Sequence, residues 1–273
     1  MRATLGILNL VLGSVYTSYG VMTLIDMRRG WRTMGFSHFG AAWTAMAFTC
    51  GPHHLVHGYY VLAGPGVGGG LDLLAVAVGF PAGVIWFLLR LEAFAGGRGD
   101  RAVSGTPAWI RAIPLASAVV ATFFLTVSTQ MILHNHEARG AHLLTEHGLG
   151  LGGIVWPNLL LIGLYCTIGY FLARTQLSTN RSEGGWSVSG LSLTVVFPTC
   201  AMMHAAFALY IGTGGYHAHP AGLVIDWLAV PAATYFLWVV RGLYRDSMKD
   251  WNRPAEARED APLERVPIPV TVP

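Results

Sequence analysis

Charged residues are scarce in this chain. They make up 11% of its 273 residues, against about 25% in a typical soluble domain, and Lys249 is the only lysine. Hydrophobic residues supply 53% of the chain, and the mean hydropathy is +0.50. This composition excludes an ordinary soluble globular domain and predicts a membrane protein.

Cysteine is also rare, and disulfide chemistry is not indicated. Cys50, Cys166 and Cys200 are the only cysteines, and each lies in an apolar stretch. A small secreted domain held together by disulfides is therefore excluded. The basic residues are scattered along loop ends and form no nucleic-acid motif, so no nucleic-acid partner is expected.

Long apolar stretches replace the missing charge. A membrane-spanning helix needs about 20 mostly apolar residues. We predict an all-α, polytopic membrane domain at 1–245 with seven transmembrane helices, followed by a disordered, cytoplasmic tail at 246–273 that is charged and Pro-rich. The predicted helices are 4–25, 36–62, 72–91, 108–133, 148–173, 190–212 and 222–244.

The basic residues divide unequally between the two sides of this bundle. Every lysine and arginine except Arg2 and Arg139 falls on one side. The positive-inside rule then predicts an outer N-terminus and an inner C-terminus in the cytoplasmic membrane of the cell. On this topology every histidine except His38 lies in or beyond the outer half of the bundle.

One sequence motif occurs twice. The first copy runs from Thr49-Cys50 to His54, and the second runs from Thr199-Cys200 to His204, with the same offsets. Each copy continues through a Gly-rich stretch into Asp-x-Leu-Ala-Val, at Asp72 and at Asp226. Both copies begin on helices with the same predicted direction, so the repeat is parallel.

The repeat predicts a three-plus-one-plus-three bundle with a pseudo-twofold axis along the membrane normal. Its halves are about 1–91 and 148–245, joined by a linker helix at about 108–133. This architecture resembles that of small sugar and vitamin transporters and of the opsins. The last helix has no lysine, which excludes a retinal Schiff base.

The repeated side chains are those that bind metals, and ionisable groups inside a bilayer are costly enough to indicate a use. Each Cys-x-x-x-His pair shares one helical face, and the two histidines lie at matching depths. We predict a metal site lined by His54 and His204, completed from His134, Asp226, Asp72, Cys50, Cys200, His53, His57 and His136.

The donor types favour copper. Imidazole suits zinc, copper and iron, whereas thiolate and thioether groups favour copper(I) or zinc. Cysteines and methionines lie close to the histidines, at Cys50, Cys200, Met131, Met202 and Met203. Zinc and iron remain alternatives, and so does haem b with the two repeat histidines as axial ligands.

The position of the site predicts an enzyme. The inner halves of the helices are nearly apolar, which suits a one-sided site better than an ion pathway. We predict a copper- or iron-dependent oxidoreductase that acts on a small or lipid-soluble substrate reached from the outer side. The alternatives are a copper uptake or binding protein, a haem b protein and a zinc-dependent membrane hydrolase.

The zinc alternative has one local resemblance. Cys50-x-x-x-His54 is similar to the Ser-x-x-x-His of seven-helix zinc hydrolases of the ceramidase and adiponectin-receptor kind. The last helix of this chain lacks the His-x-x-x-His of those enzymes. The resemblance therefore implies no membership of that family.

Overall fold

Six long helices make up most of the described chain. The computed structural model describes residues 1–63, 69–105, 112, 115–120, 122–123, 126, 151–213 and 220–251. Apart from one pair of short strands the protein is all-helical, as predicted. The helices are α1 (Arg2–Met34), α2 (His38–Ala63), α3 (Gly70–Phe94), α4 (Leu151–Glu183), α5 (Val188–Thr213) and α6 (Pro220–Trp251).

Five of these helices are long and apolar enough to cross a membrane, which indicates a multi-pass membrane protein. Each overlaps a predicted stretch, and large apolar side chains such as Ile85 and Leu88 point outward, where a bilayer would cover them. The five spans are Arg2–Thr33, Gly70–Phe94, Val155–Arg181, Val188–Tyr210 and Ala221–Asp246.

The two remaining predicted spans are 36–62, which corresponds to α2, and 108–133. α2 has 26 residues, long enough for a span, but four histidines make it less apolar than the five. The predicted helix at 108–133 lies mostly outside the described residues, and its described positions from 115 to 120 are helical. α6 continues to Trp251, beyond the predicted domain end at 245, and 252–273 lie outside the described residues.

The helices pack in pairs that match between the two halves of the chain. α1 contacts α2 and α3, and α4 contacts α5 and α6 in the same way. Between the halves, α2 contacts α6 and α3 contacts α5. The hydrophobic core lies between these helices and includes the fully buried Leu5, Met46, Ile162 and Phe236.

Glycines bring α1 and α2 close together. A Cβ atom at Gly13 would lie 2.8 Å from the carbonyl oxygen of Gly51, and one at Gly51 would lie 2.9 Å from the amide nitrogen of Thr17. Small residues at such positions let helix backbones approach inside a membrane. This close packing fixes where the polar side chains of α2 lie relative to α1.

The basic end of the bundle is the end where α1, α3, α4 and α6 finish and where α2 and α5 begin; we call the opposite end the histidine end. At the basic end β1 (Ala102–Ser104) pairs antiparallel with β2 (Gly185–Ser187), with Val103 opposite Trp186. The strands tie the loop that follows α3 to the α4–α5 turn.

The Asp100 carboxylate anchors this loop. It accepts hydrogen bonds from the hydroxyl of Ser187 at 2.6 Å and from the amide and hydroxyl of Ser189 at 2.9 and 2.8 Å. Burial alone would raise the pKa of Asp100, but these bonds and the Arg101 amide hold that pKa below its ordinary value. The loop is thus held to the start of α5 by a carboxylate that stays ionised.

Candidate metal centre

A small cavity lies between the two halves of the chain. It leaves about 10 Å³ for the centre of a water-sized particle, close to the space that one water molecule needs. The structure brings six of the predicted site residues to its wall: Cys50, His53, His54, Cys200, His204 and Asp226. A second space of the same size adjoins it and shares His54, Cys200 and Met203.

His54 is oriented by an asparagine of α1. Its Nδ1 lies 2.7 Å from Oδ1 of Asn9, and the amide nitrogen of Asn9 donates to the carbonyl oxygen of Leu5 at 2.9 Å. Because the amide nitrogen is already donating, Asn9 presents its oxygen to the ring and accepts a hydrogen bond from the protonated Nδ1. The Nε2 of His54 therefore keeps its lone pair, which is the form of imidazole that binds a metal.

His204 has the matching arrangement in the other half. Its Nδ1 lies 2.7 Å from Oδ1 of Asn158, and the amide nitrogen of Asn158 donates to Oδ2 of Asp226 at 3.1 Å. The ring of Tyr165 lies tilted against that of His204 at 5.4 Å, and Tyr16 packs edge-on against His54 at 5.5 Å. Both repeat histidines thus expose an unprotonated Nε2, each held by an asparagine and a tyrosine.

These supporting residues were missed in reasoning from the sequence. Asn9 and Tyr16 on α1 match Asn158 and Tyr165 on α4 in a shared pattern, Asn-Leu-x-Leu-x-x-x-Tyr. This pattern extends the repeat to the first helix of each half. The two copies of this pattern are one residue closer in sequence than the two Cys-x-x-x-His pairs, so an alignment of the halves finds it only with a one-residue gap between the two helices.

His53 adds a second polar contact across the halves. Its Nδ1 lies 2.8 Å from Oδ1 of Asp226, close enough for an ion pair, although the ring is not aligned for a hydrogen bond. The Nε2 of His53 has no hydrogen-bond partner among the described residues, and its ring lies 5.0 Å from that of His204. A continuous polar path therefore runs from His53 through Asp226 and Asn158 to His204.

His57 and Asp72 form a separate pair nearer the histidine end. The Nε2 of His57 lies 3.5 Å from Oδ2 of Asp72, and Asp72 is fully buried. Met203 and Phe207 occupy on α5 the positions that His53 and His57 occupy on α2. The two extra histidines are therefore a feature of the first half, and the pseudo-symmetry is broken at this point.

Soft donors lie beside the imidazoles. The three cysteines of the chain are free thiols, and Sγ of Cys50 lies 3.4 Å from the hydroxyl of Tyr165. Cys200 and Met203 line both cavities. The wall thus offers imidazole, thiol, thioether and carboxylate groups, which together suit a transition metal.

The structure brings the predicted ligands together only in part. Within the described ranges, no group of three or more His, Cys, Asp or Glu side chains is arranged as a metal site. The predicted ligands His134 and His136 lie outside those ranges. The described donors surround a common space, but they do not converge on one point.

An aromatic layer closes the cavity toward the basic end. Trp43 contacts Trp86 at 4.1 Å and Phe236 at 5.6 Å, and Phe236 stacks on Phe197 at 5.3 Å. All four rings are buried. Trp43 precedes His53 by ten residues on α2, which places the layer about 15 Å below the histidines.

Comparisons with protein-family models, curated proteins and solved structures find no match to this chain.

Proposed function

We propose that this protein is a seven-span protein of the cytoplasmic membrane that binds a copper ion between two pseudo-symmetric halves and acts as an oxidoreductase. One observation carries the proposal. His54 and His204 occupy matched repeat positions, and each is held by a buried asparagine that leaves its Nε2 lone pair available. Metal-binding histidines in proteins are usually oriented in this way through their second nitrogen.

The helix contacts support the three-plus-one-plus-three arrangement. Each contact between two helices has a counterpart between the corresponding helices of the repeat. Thr49 and Thr199 also match, because each hydroxyl donates to the carbonyl oxygens three and four residues earlier. With α2 and the predicted helix at 108–133 added to the five spans, the bundle would have seven, and the arginines at the basic end favour a cytoplasmic position for that end.

The choice of copper rests on the donors and on the space between them. Cys50, Cys200 and Met203 are soft donors beside the two imidazoles, and such a set favours copper over iron. The space fits an ion, whereas a porphyrin would require the helices to separate widely, so an ion is favoured over haem b. Bound copper would supply one-electron redox chemistry, and the residues of this chain would orient it and exclude water.

The closed basic end favours an enzyme over a carrier. Between the histidines and the basic end lie the buried rings of Trp43, Trp86, Phe197 and Phe236. The buried hydroxyls of Thr49 and Thr199 donate to their own helices, whereas a transported ion needs a series of available polar groups. A substrate would instead reach the cavity from the histidine end or from the lipid. Its class is therefore a small or lipid-soluble molecule.

Copper uptake is the second candidate, and the prolines favour it. Pro52, Pro81, Pro157, Pro198 and Pro231 all lie inside helices. Interrupted helices are common in transporters whose repeats move relative to each other. In that case the aromatic layer would be the inner gate.

Metal analysis of the purified protein tests the copper site. The wild-type protein should contain stoichiometric copper, and His54→Ala and His204→Ala should each abolish it, because each removes one of two principal donors. His38→Ala is the control and should retain the metal, since His38 lies at the basic end. Full copper content in the double variant would contradict the proposal.

A flux measurement distinguishes the enzyme from the carrier. The protein is reconstituted in vesicles that contain a copper indicator. Tight binding without flux supports the oxidoreductase. Copper influx that is lost in both histidine variants would instead identify the uptake protein.

A further inference from the structure

A further cavity opens at the basic end, away from the two small cavities of the candidate metal centre. It lies between the start of α2 and the last turns of α6 and has a volume of about 240 Å³. Its walls include His38, Trp238, Arg241 and Arg245, none of which lines the candidate metal centre. Its ligand is therefore a separate question from the proposed function.

The cavity is positively charged. Arg241 and Arg245 are one helical turn apart, so their side chains share a face of α6. Both are exposed, and within the described ranges neither guanidinium takes part in an ion pair. Asp246 is the single acidic residue in the wall, so two guanidinium groups face one carboxylate.

Aromatic side chains hold the other wall in place. The Nδ1 of His38 lies 2.8 Å from the hydroxyl of Tyr235, and the His38 ring lies 5.4 Å from that of Trp238. Trp238 is 60% exposed on the outside of a membrane-spanning helix, where an amphipathic ring marks the boundary between lipid and water. Leu243, also exposed, lines the same cavity. The cavity thus joins a basic surface to the lipid-facing surface.

We propose that this cavity binds the phosphate headgroup of an anionic phospholipid. Guanidinium groups form paired hydrogen bonds with phosphate oxygens, and basic pockets between helices at the cytoplasmic side suit such headgroups. The exposed Trp238 and Leu243 would contact the acyl chains of the same molecule. A soluble phosphate would gain nothing from these apolar side chains, so the occupant is a lipid.

Native mass spectrometry of the detergent-solubilised protein tests this site. The protein is titrated with phosphatidylglycerol, with phosphatidylcholine and with glycerol phosphate, which carries the same headgroup chemistry without acyl chains. The wild-type protein should retain phosphatidylglycerol in preference to the other two. The double variant R241Q/R245Q should bind it about 30-fold more weakly, since each arginine near a membrane surface contributes about fivefold.

A charge-matched control separates this site from the general basic character of the surface. The variant R98Q/R181Q removes two exposed arginines from the same end of the bundle, neither of which lines this cavity, and should keep wild-type affinity. Equal loss of affinity in both double variants would overturn the proposal, because any basic surface would then suffice. Binding of glycerol phosphate as tight as that of phosphatidylglycerol would overturn the lipid as occupant.

Discussion

At the scale of single residues, two asparagines decide which nitrogen of each site histidine is available. Asn9 and Asn158 both use their amide nitrogen elsewhere, at Leu5 and at Asp226. Their oxygens therefore accept a hydrogen bond from the Nδ1–H group of the histidine. The hydrogen bond at Nδ1 thus sets the tautomer of each imidazole. It leaves Nε2, the other ring nitrogen, with the lone pair that can bind a metal.

This arrangement predicts a positioning role for both asparagines. Asn9→Leu and Asn158→Leu should each weaken copper binding by about 10- to 100-fold, which is the usual cost of losing the group that orients a ligating histidine. Affinity is measured by competition with a chelator of known strength. Asn180→Leu, toward the basic end of α4, is the control and should bind as the wild type does. Unchanged affinity in both site variants would show that the asparagines serve packing alone.

The cost of burying charge also acts at this scale. Asp72 is fully buried and Asp226 is 6% exposed, and an unpaired carboxylate at such depth would be strongly unfavourable. His57 and His53 lie against them and offset that cost. Both histidines come from one face of α2, because they are four residues apart.

At the scale of helices, α2 explains why one predicted span is less apolar than the others. His53, His54, His57 and Thr49 are buried toward other helices, whereas Phe48, Tyr59 and Leu62 are exposed. A helix with a polar face turned inward can cross a membrane because lipid meets only its apolar face. The mean hydropathy of α2 averages its polar and apolar faces, so it does not show that the polar side chains are turned inward.

The glycines of the α1–α2 interface predict a difference between two glycine substitutions. Gly13→Ala should destabilise the protein by about 1–3 kcal/mol, because the new Cβ would lie 2.8 Å from the backbone of both Gly51 and Leu55, and a backbone moves less readily than a side chain. Gly163→Ala meets nothing within 4 Å and should be neutral or stabilising by up to about 1 kcal/mol, since alanine favours a helix. The free energy of unfolding in mixed micelles measures both effects, and equal values would contradict the close packing.

At the scale of the whole molecule, the orientation of the bundle decides which compartment supplies the substrate. The arginines gather at the basic end, whereas the candidate metal centre lies between the halves, on the far side of the aromatic layer. If the basic end faces the cytoplasm, the substrate arrives from outside or through the lipid.

The proposed orientation predicts which of two introduced cysteines can be labelled from outside the cell. In intact cells a membrane-impermeant thiol reagent should modify Val67→Cys, which lies between α2 and α3 in the sequence, and should leave Arg181→Cys unmodified until the membrane is permeabilised. The three native cysteines are intermediate or buried, and the parent protein measures their background. Labelling of position 181 with none at position 67 would reverse the orientation and with it the side from which the substrate comes.

The repeat shows how far sequence comparison within the chain could lead to the site. The matched positions of the repeat predicted that both cysteines, both histidines and both aspartates would lie together. Five of the six line one cavity, whereas Asp72 lies against His57 outside it. These residues lie together for two reasons. Helical spacing, which is local, puts each pair on one face, and the parallel order of the halves, which is topological, brings the two faces together. The supporting Asn-Leu-x-Leu-x-x-x-Tyr pattern is also present in both halves, but its spacing differs by one residue from that of the Cys-x-x-x-His pairs, so an ungapped comparison does not show it.

Composition and apolar length were sufficient to predict a helical membrane protein, because each depends only on consecutive residues in one segment. The role of His53 and His57 required the tertiary structure. Met203 and Phe207 hold the corresponding repeat positions, so the repeat alone could not assign a partner to either histidine. Those partners, Asp226 and Asp72, belong to different halves of the chain. Only the packing of α2 against α6, and of α1 against both α2 and α3, brings the two carboxylates to one face of α2. Contacts between helices depend on side-chain fit across the whole bundle and leave no local signal.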